Sequence, residues 1–371
     1  MARTRDDDAC PGALQVHQAA DGALARVRLP GGMIEAPQLE ALALAAARFG
    51  SPALELTSRG NVQIRGVTDD GALAEAIADA GLLPSPSHER VRNVVASPLT
   101  GRTGGATDVR QRVRDLDRAI SANARLADLP GRFLFSVDDG RGDVSGIGAD
   151  AGVHFLDDDT AALLVAGVDT GVRTRDPVAT LVEVAQRFVD VRETAWRTTE
   201  LADTAVLLGD LPVTAAPGGR WDPVTRPPVG WIPQDDGRVT LGAAVPLGVL
   251  PSRVGEYLAA VGSPLVITPW RSILVCDLDE GIADAALRVL APLGLVFDES
   301  SPWLDVSACT GSPGCAHSIA DVRRDAADAV AAGPADAHRH FVGCERACGS
   351  PPVGEVLVAV PGGYAPRHRP S

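Results

Sequence analysis

Four of the six cysteines in this 371-residue chain fall in one region near its C-terminal end. They form two pairs, Cys309-TGSPG-Cys315 and Cys344-ERA-Cys348. Four thiolates spaced in this way can hold a zinc ion or an iron–sulfur cluster. Zinc ribbons usually separate paired cysteines by two to four residues. The longer first gap, rich in Gly, Ser and Pro, favours a [4Fe-4S] cluster, with zinc and free structural thiols as the alternatives.

The remaining two cysteines give weaker signals. Cys276 lies in the apolar run SILVCDL, which is typical of a core thiol in a strand. Cys10 lies in the acidic N-terminal sequence MARTRDDDAC and has no matching cysteine nearby. We therefore expect Cys10 to lie in a mobile segment, without a matched cysteine and not as a ligand.

The basic residues exclude several classes of protein. All 34 are arginine, so the chain lacks the lysine that a Schiff-base enzyme, a Walker A loop or a protein kinase requires. The formal net charge of −14 argues against a sequence-independent nucleic-acid binder. No apolar run is long enough to span a bilayer, and the N-terminus lacks the apolar core of a signal peptide. We therefore expect a cytoplasmic protein, with no nucleic acid or membrane as partner and with its thiols reduced.

The elements that must position these residues are repeated along the chain. Apolar periodicity and turn residues predict a helix over 36–48, two strands around Arg59, and a helix over 70–81. The same order recurs with a helix over 252–262, two strands around Arg271 and a helix over 280–294. This pattern indicates an internal duplication of a β-α-β-β-α unit.

The sequence between and after the two copies suggests further domains. Helices are predicted over 109–126 and 178–192, and the Pro/Gly-rich segment that follows is the best linker candidate. The predicted division is as follows: a first ferredoxin-like half-domain (1–85), a first nitrite/sulfite reductase-like α+β domain (86–210), a linker (211–235), a second ferredoxin-like half-domain (236–298) and a cluster-binding domain (299–371).

Six motifs, taken in order, resemble the sulfite/nitrite reductase superfamily over nearly the whole chain. They are RVRLPGG, ELTSRGNVQIRG, ERVRNVV, LPGRF, ACTGSPGC and GCERACGSP. The resemblance implies an α+β fold in which two duplicated ferredoxin-like half-domains are related by a pseudo-twofold axis, beside two sulfite/nitrite-reductase-type α+β domains. It also implies that Cys309, Cys315, Cys344 and Cys348 bind a [4Fe-4S] cluster, with Cys348 bridging to a siroheme iron.

The same resemblance implies a basic site for a tetrapyrrole. A guanidinium group stays charged and can grip a carboxylate through two hydrogen bonds, which suits a macrocycle with many carboxylate arms. Carried over by motif, the expected tetrapyrrole-binding residues are Arg28, Arg59, Gln63, Arg92 and Arg132.

Three features depart from the assimilatory reductases. Leu134 stands where the LPGRF-type motif normally has a second basic residue, and Arg346 stands where the reductases have a small polar amide. Only a short sequence follows Cys348. These departures resemble a shorter branch of the superfamily, the precorrin-3B synthases of cobalamin biosynthesis.

The resemblance to this branch implies a monooxygenase that uses O2 and an electron donor to hydroxylate precorrin-3A and form a lactone. The donor would be a ferredoxin, a flavoprotein or an NAD(P)H-linked system. An additional iron, either non-haem or in siroheme (a haem-type group), is also implied. The sequence does not show its ligands, and His88, His154, His317 and His340 are interpreted as ordinary histidines. The alternatives are a siroheme-dependent sulfite or nitrite reductase, an electron-transfer protein and a zinc-stabilised module.

Overall fold

The computed structural model of the chain describes residue 8, residues 10–334 and residues 337–367. This part forms seven α-helices and nineteen β-strands, which are arranged in four sheets. No described helix is both long and apolar enough to cross a bilayer. The helices are α1 (Ala36–Phe49), α2 (Asp70–Asp79), α3 (Arg110–Ala122), α4 (Pro177–Val191), α5 (Ser252–Ala260), α6 (Glu280–Leu290) and α7 (Val322–Ala331).

The strands are numbered in chain order. The first ten are β1 (His17–Ala19), β2 (Gly22–Val27), β3 (Met33–Ile34), β4 (Ala53–Leu56), β5 (Val62–Val67), β6 (Val94–Ala96), β7 (Phe135–Asp138), β8 (Ala151–Phe155), β9 (Ala161–Val165) and β10 (Val168–Thr174). The others are β11 (Gly230–Pro233), β12 (Val239–Ala244), β13 (Val249–Pro251), β14 (Leu265–Ile267), β15 (Ser272–Leu278), β16 (Val306–Ala308), β17 (Arg339–Val342), β18 (Glu355–Val360) and β19 (Gly363–Pro366).

The two copies of the repeat form two antiparallel sheets that exchange an edge strand. The sheets have the orders β1-β2-β5-β4-β13 and β11-β12-β15-β14-β3. In the exchange, β3 of the first copy pairs with β14, and β13 of the second copy pairs with β4. Helices α1 and α5 pack together, and buried apolar residues of both copies form one continuous core. The predicted pair of ferredoxin-like half-domains around a pseudo-twofold axis is confirmed.

Two further sheets complete the predicted α+β fold. One has the order β10-β9-β8-β7-β6, in which β6, β7 and β8 are parallel, and α3 and α4 cover it with their apolar residues. The other has the order β16-β17-β18-β19, with β16, β17 and β18 parallel and α7 as the crossover between β16 and β17. A crossover through a helix is the usual way to join parallel strands.

The structure differs in detail from the predicted elements. The segment 211–235 was predicted to be a linker, yet Gly230–Pro233 pairs with β12 as an edge strand. The helix predicted over 109–126 ends at Ala122, because the Asn123 side chain accepts a hydrogen bond from the N–H of Arg125 and begins a separate 3₁₀ turn. The exchanged strands also mean that no single cut in the sequence separates the two half-domain sheets.

The strand exchange depends on glycine at position 32. Gly32 has φ of +70°, and a Cβ atom there would lie 1.9 Å from the carbonyl oxygen of Ile267 at the end of β14. A Cβ atom at Gly60 would lie 2.9 Å from the same oxygen. Because the two copies approach each other through bare backbone here, larger side chains would force them apart.

We predict that Gly32→Ala lowers the free energy of unfolding by about 3 kcal/mol. The new Cβ atom would clash with the carbonyl oxygen of Ile267, and alanine is also strained at the positive φ of this position. Gly104→Ala is the matched control, since Gly104 also has positive φ but a Cβ atom there would have no neighbour within 4 Å. It should cost about 1 kcal/mol. Urea unfolding of both variants measures the difference in the free energy of unfolding. Equal losses of stability would show that the contact between Gly32 and the Ile267 carbonyl tolerates a Cβ atom.

Candidate functional site: a four-cysteine edge and a guanidinium cluster

The four clustered cysteines lie at one edge of the fourth sheet. Cys309 follows β16 directly, and Cys344 lies two residues after the end of β17. These strands are parallel, so their carboxyl ends meet at the same edge. The loops that begin there carry Cys315 and Cys348, and all four thiols are thereby brought to one side of the sheet.

The thiols are close enough to influence one another. Partial loss of hydration raises the pKa of Cys348, and the neighbouring Cys309, Cys344 and Cys315 raise it further because thiolates repel each other. The backbone N–H of Gly343 donates a hydrogen bond to Cys309 Sγ at 3.4 Å. Across the described residues, however, no three His, Cys, Asp or Glu side chains converge as a single metal ion would require.

Arginine contacts attach the cysteine loops to the first half-domain. Arg65 on β5 donates to the carbonyl oxygen of Gly314 at 2.7 Å and is paired with Asp21 at 2.8 Å. Arg323 on α7 is paired with Glu55 on β4 at 2.5 Å. These contacts span long sequence separations, so the position of the cysteine edge is set by packing between domains.

Three of the histidines considered as ligands are occupied by other contacts. His340 is buried, with Nδ1 2.7 Å from Ser307 Oγ and Nε2 3.0 Å from the carbonyl oxygen of Cys348. His154 Nδ1 lies 2.9 Å from Ser145 Oγ. His88 Nε2 lies 3.0 Å from the carbonyl oxygen of Asn123. His317 is exposed.

A second candidate group is a cluster of guanidinium groups around β2 and the turn that carries Arg59. Its members are Arg26, Arg28, Arg59 and Arg197. Arg28 is only 2% exposed, and its Nη1 atom is buried without a hydrogen-bond partner. Burial and then the neighbouring Arg26 lower the pKa of Arg28 to about 9. Burial and Arg197 lower the pKa of Arg59 to about 10. Because these groups stay charged at neutral pH, the cluster holds more positive charge than its surroundings compensate.

Two members of this cluster were not predicted from the motifs. Arg26 lies two residues before Arg28, so the alternation of a strand places both side chains on one face of the sheet. It donates to Gln63 Oε1 at 2.9 Å. The alternation in ARVR could have revealed Arg26. Arg197, which is paired with Asp150 at 2.6 Å, comes from a distant loop and carried no signal in the sequence.

The predicted tetrapyrrole-binding set is divided by the structure. Arg28, Arg59 and Gln63 lie around Arg26. The charge of Arg132 also acts on Arg26, and the guanidinium group of Arg132 lies 4.9 Å from the centre of the Trp196 ring. Arg92 is instead bound through two hydrogen bonds, of 2.6 and 2.8 Å, to Asp117 on α3. With Arg28, it lines a cleft of about 510 Å³ beside α3. Arg92 is therefore neutralised within the protein.

The thiol of Cys10 contacts residues that lie far from it in the sequence. Its Sγ donates to the carbonyl oxygen of Gly131 at 3.2 Å, and Arg26 and Arg28 donate to Sγ at 3.4 and 3.5 Å. The Glu89 carboxylate ties down the segment that follows, because it accepts hydrogen bonds from three consecutive backbone N–H groups, those of residues 13–15. These partners are distant in sequence, so no local pattern could have revealed them.

Comparisons with known proteins agree with this arrangement. Residues 17–78 match the family model "Nitrite/Sulfite reductase ferredoxin-like half domain". A precorrin-3B synthase from Sinorhizobium sp. is 26% identical over 96% of this chain and 81% of its own length. The chain is thus sulfite/nitrite reductase-like, as its motifs predicted. A ferredoxin–nitrite reductase from Synechococcus elongatus is 32% identical over 32% of this chain and 25% of its own length.

A solved structure supports the fold. The NirA protein of Mycobacterium tuberculosis superposes with a TM-score of 0.76, covering 93% of this chain and 73% of that protein at 20% sequence identity. The names of these relatives point to an enzyme of an oxidoreductase-like superfamily.

We predict that a polycarboxylate macrocycle binds at the guanidinium cluster and raises the unfolding temperature. Uroporphyrin is a suitable probe, with sodium chloride at equal ionic strength as the control for screening. Arg59→Gln should weaken binding about 10- to 100-fold, because charged hydrogen bonds to a carboxylate are lost.

Arg92→Gln is the matched variant, since Arg92 is already paired with Asp117. It should destabilise the fold by about 1–3 kcal/mol, because it leaves a carboxylate without its partner, and should change uroporphyrin affinity little. Equal loss of uroporphyrin affinity in both variants would contradict the different roles given to Arg59, as a ligand-binding residue, and to Arg92, as the partner of Asp117.

Proposed function

We propose that this chain is a precorrin-3B synthase. It would use O2 and an electron donor to hydroxylate precorrin-3A and to form a lactone on it, in aerobic cobalamin biosynthesis. The observation that carries the proposal is the guanidinium cluster, in which Arg26, Arg28 and Arg59 have no ion-pair partner among the described residues. Such a cluster suits the carboxylate arms of a tetrapyrrole substrate. The similarity to a precorrin-3B synthase over 96% of the chain supports the same substrate class.

The environment of Leu134 favours the synthase over a reductase. Leu134 stands where the reductase motif has a second basic residue, and it is 5% exposed. It packs in a small apolar core with Val95, Val144 and Ala149. A cation at this position would have to leave that core, so the site has fewer charges for a small oxyanion than a reductase would have.

The residues at the cysteine edge fit a [4Fe-4S] cluster. A [4Fe-4S] cluster is held by four cysteine thiolates. The four gathered thiols would supply these ligands, and the N–H of Gly343 would supply a backbone hydrogen bond to one of the sulfur atoms. Cys309, Cys315, Cys344 and Cys348 would hold the cluster.

When bound, the cluster would supply electrons one at a time from a ferredoxin, a flavoprotein or an NAD(P)H-linked donor. The proposal includes an additional iron, non-haem or in siroheme, for the chemistry with O2, and we assign no ligands to it. Arg28 and Arg59 would bind carboxylates of precorrin-3A. Gln63, held between Arg26 and Glu55, would orient the macrocycle through its remaining hydrogen-bonding capacity.

A siroheme-dependent nitrite or sulfite reductase is the second candidate. It is favoured by the 32% identity to a ferredoxin–nitrite reductase over part of the chain. The same guanidinium cluster could hold the carboxylates of siroheme as a cofactor. The two candidates differ in the role of the macrocycle that the guanidinium cluster would bind. In a synthase it would be the substrate, and in a reductase it would be a cofactor that stays bound.

Two assays on protein purified without air test the proposal. With precorrin-3A, reductant and ¹⁸O2, a synthase should give a product that has gained one labelled oxygen atom, which mass spectrometry detects. With reduced dye and nitrite or sulfite, it should give no turnover. Tightly bound siroheme together with nitrite or sulfite turnover, and no oxygenated product, would replace the synthase with the reductase.

We predict that Cys348→Ser lowers the iron content and removes the visible absorbance that dithionite bleaches, because a hydroxyl is a poor cluster ligand. Cys276→Ala is the matched control. Cys276 is fully buried between Val266 and Leu274, away from the cysteine edge. This control should cost stability but retain iron. Iron retained in full by Cys348→Ser would remove Cys348 from the ligand set.

A further inference from the structure

Arg271 is the counterpart of Arg59 in the second copy of the repeat, and it faces the cysteine edge. Each arginine lies in the turn between two strands of its copy, and each reaches a backbone carbonyl in another domain. Arg59 Nη1 lies 3.4 Å from the carbonyl oxygen of Gly131, beside the guanidinium cluster. Arg271 Nη2 lies 3.2 Å from the carbonyl oxygen of Gly349, the residue after Cys348. The duplication therefore delivers one arginine to each half of the site.

The turn holds Arg271 in a fixed position. Arg271 has φ of +58°, and its N–H donates to the carbonyl oxygen of Thr268 at 3.0 Å. Glycine on both sides makes room for its side chain: a Cβ atom at Gly248 would lie 2.9 Å from Arg271 Cδ, and one at Gly349 would lie 2.5 Å from Nη2. A non-glycine residue in left-handed conformation is costly, and such strain is typical of functional positions.

The charge of Arg271 is not neutralised by direct contact. It has no carboxylate within ion-pair distance among the residues described, and loss of hydration lowers its pKa. The Glu55 carboxylate acts on it from farther away and is itself paired with Arg323. The thiol of Cys309 also acts on it, which places the guanidinium within electrostatic reach of the cysteine edge.

Arg65 provides an internal comparison. It donates to the carbonyl oxygen of Gly314, next to Cys315, much as Arg271 does next to Cys348. Unlike Arg271, it is bound through two hydrogen bonds, each of 2.8 Å, to a carboxylate, that of Asp21. The two arginines thus make the same backbone contact, but only Arg271 presents an uncompensated positive charge.

We propose that Arg271 is a positioning residue that places a fixed positive charge beside the four-cysteine centre and makes a cluster held there easier to reduce. This rests on the [4Fe-4S] cluster of the proposed function. Reduction adds negative charge to a cluster that four thiolates already make anionic, and a nearby cation stabilises the reduced form more than the oxidised form. The hydrogen bond to Gly349 holds the loop of Cys348 against that cation.

The test is a redox titration of the purified protein, followed by visible absorbance and by electron paramagnetic resonance. At the wild-type midpoint potential, Arg271→Gln should lower the ratio of reduced to oxidised cluster about tenfold, which is 59 mV for a one-electron couple. Arg271→Lys keeps the charge and should recover most of that loss. The double variant Arg65→Gln/Asp21→Asn removes a loop hydrogen bond together with a neutral ion pair, and should leave the ratio unchanged.

Each outcome decides the proposal, and iron content is measured in every sample. An unchanged ratio in Arg271→Gln overturns it, and so does a Lys variant that behaves like the Gln variant with its cluster intact. If Arg271→Gln loses iron, a Lys variant that keeps both iron and the wild-type ratio supports the proposal, and one that also loses iron overturns it. Wild-type protein without a cluster would instead refute the cofactor assignment of the proposed function.

Discussion

The exchange of edge strands between the two half-domains is the constraint on which the rest of the structure depends. Because β3 completes the sheet of the second copy and β13 completes that of the first, neither sheet is whole without the other. The apolar residues of both copies form one core, and the copies meet at bare backbone around Gly32. This fixes the two turns that carry Arg59 and Arg271, and hence the two halves of the candidate site.

The candidate site has two separate parts, one made of guanidinium groups and the other of cysteine thiols. On one side, the buried guanidinium group of Arg28 lies beside the half-buried guanidinium groups of Arg26, Arg59 and Arg197. On the other side, four thiols gather where two parallel strands end. Burying like charges is unfavourable unless a ligand of opposite charge joins them. In the proposed function, the guanidinium groups would bind an anionic macrocycle and the thiols would hold an iron–sulfur cluster.

The arginines show that residue type alone does not define a role. Arg28 is buried with an unpartnered nitrogen, Arg92 is satisfied by Asp117, and Arg65 is satisfied by Asp21. All three are arginines on or beside strands of the same region. Their partners decide whether the charge is available to a ligand or is used to hold two elements together. In a chain without lysine, arginine has to do both.

The sequence by itself determined the duplicated unit, the α+β fold and the grouping of four cysteines. These features are local patterns of spacing and periodicity, which can be recognised without knowing how the elements pack. It also indicated the resemblance to the sulfite/nitrite reductase superfamily, which the comparisons confirmed. The assignment of the cysteines and arginines to a cluster and a tetrapyrrole stays a prediction.

Only the tertiary structure decided which side chains meet. The strand exchange, the pairing of Arg92 with Asp117, the place of Cys10 between Arg26 and Arg28, and the β11 strand inside the predicted linker have no signature in the sequence. Each depends on contacts between residues far apart in the chain, and such contacts are selected by the packing of whole sheets against one another. Local propensity fixes the elements, but the free energy that selects the partners of a buried charge belongs to the assembled core.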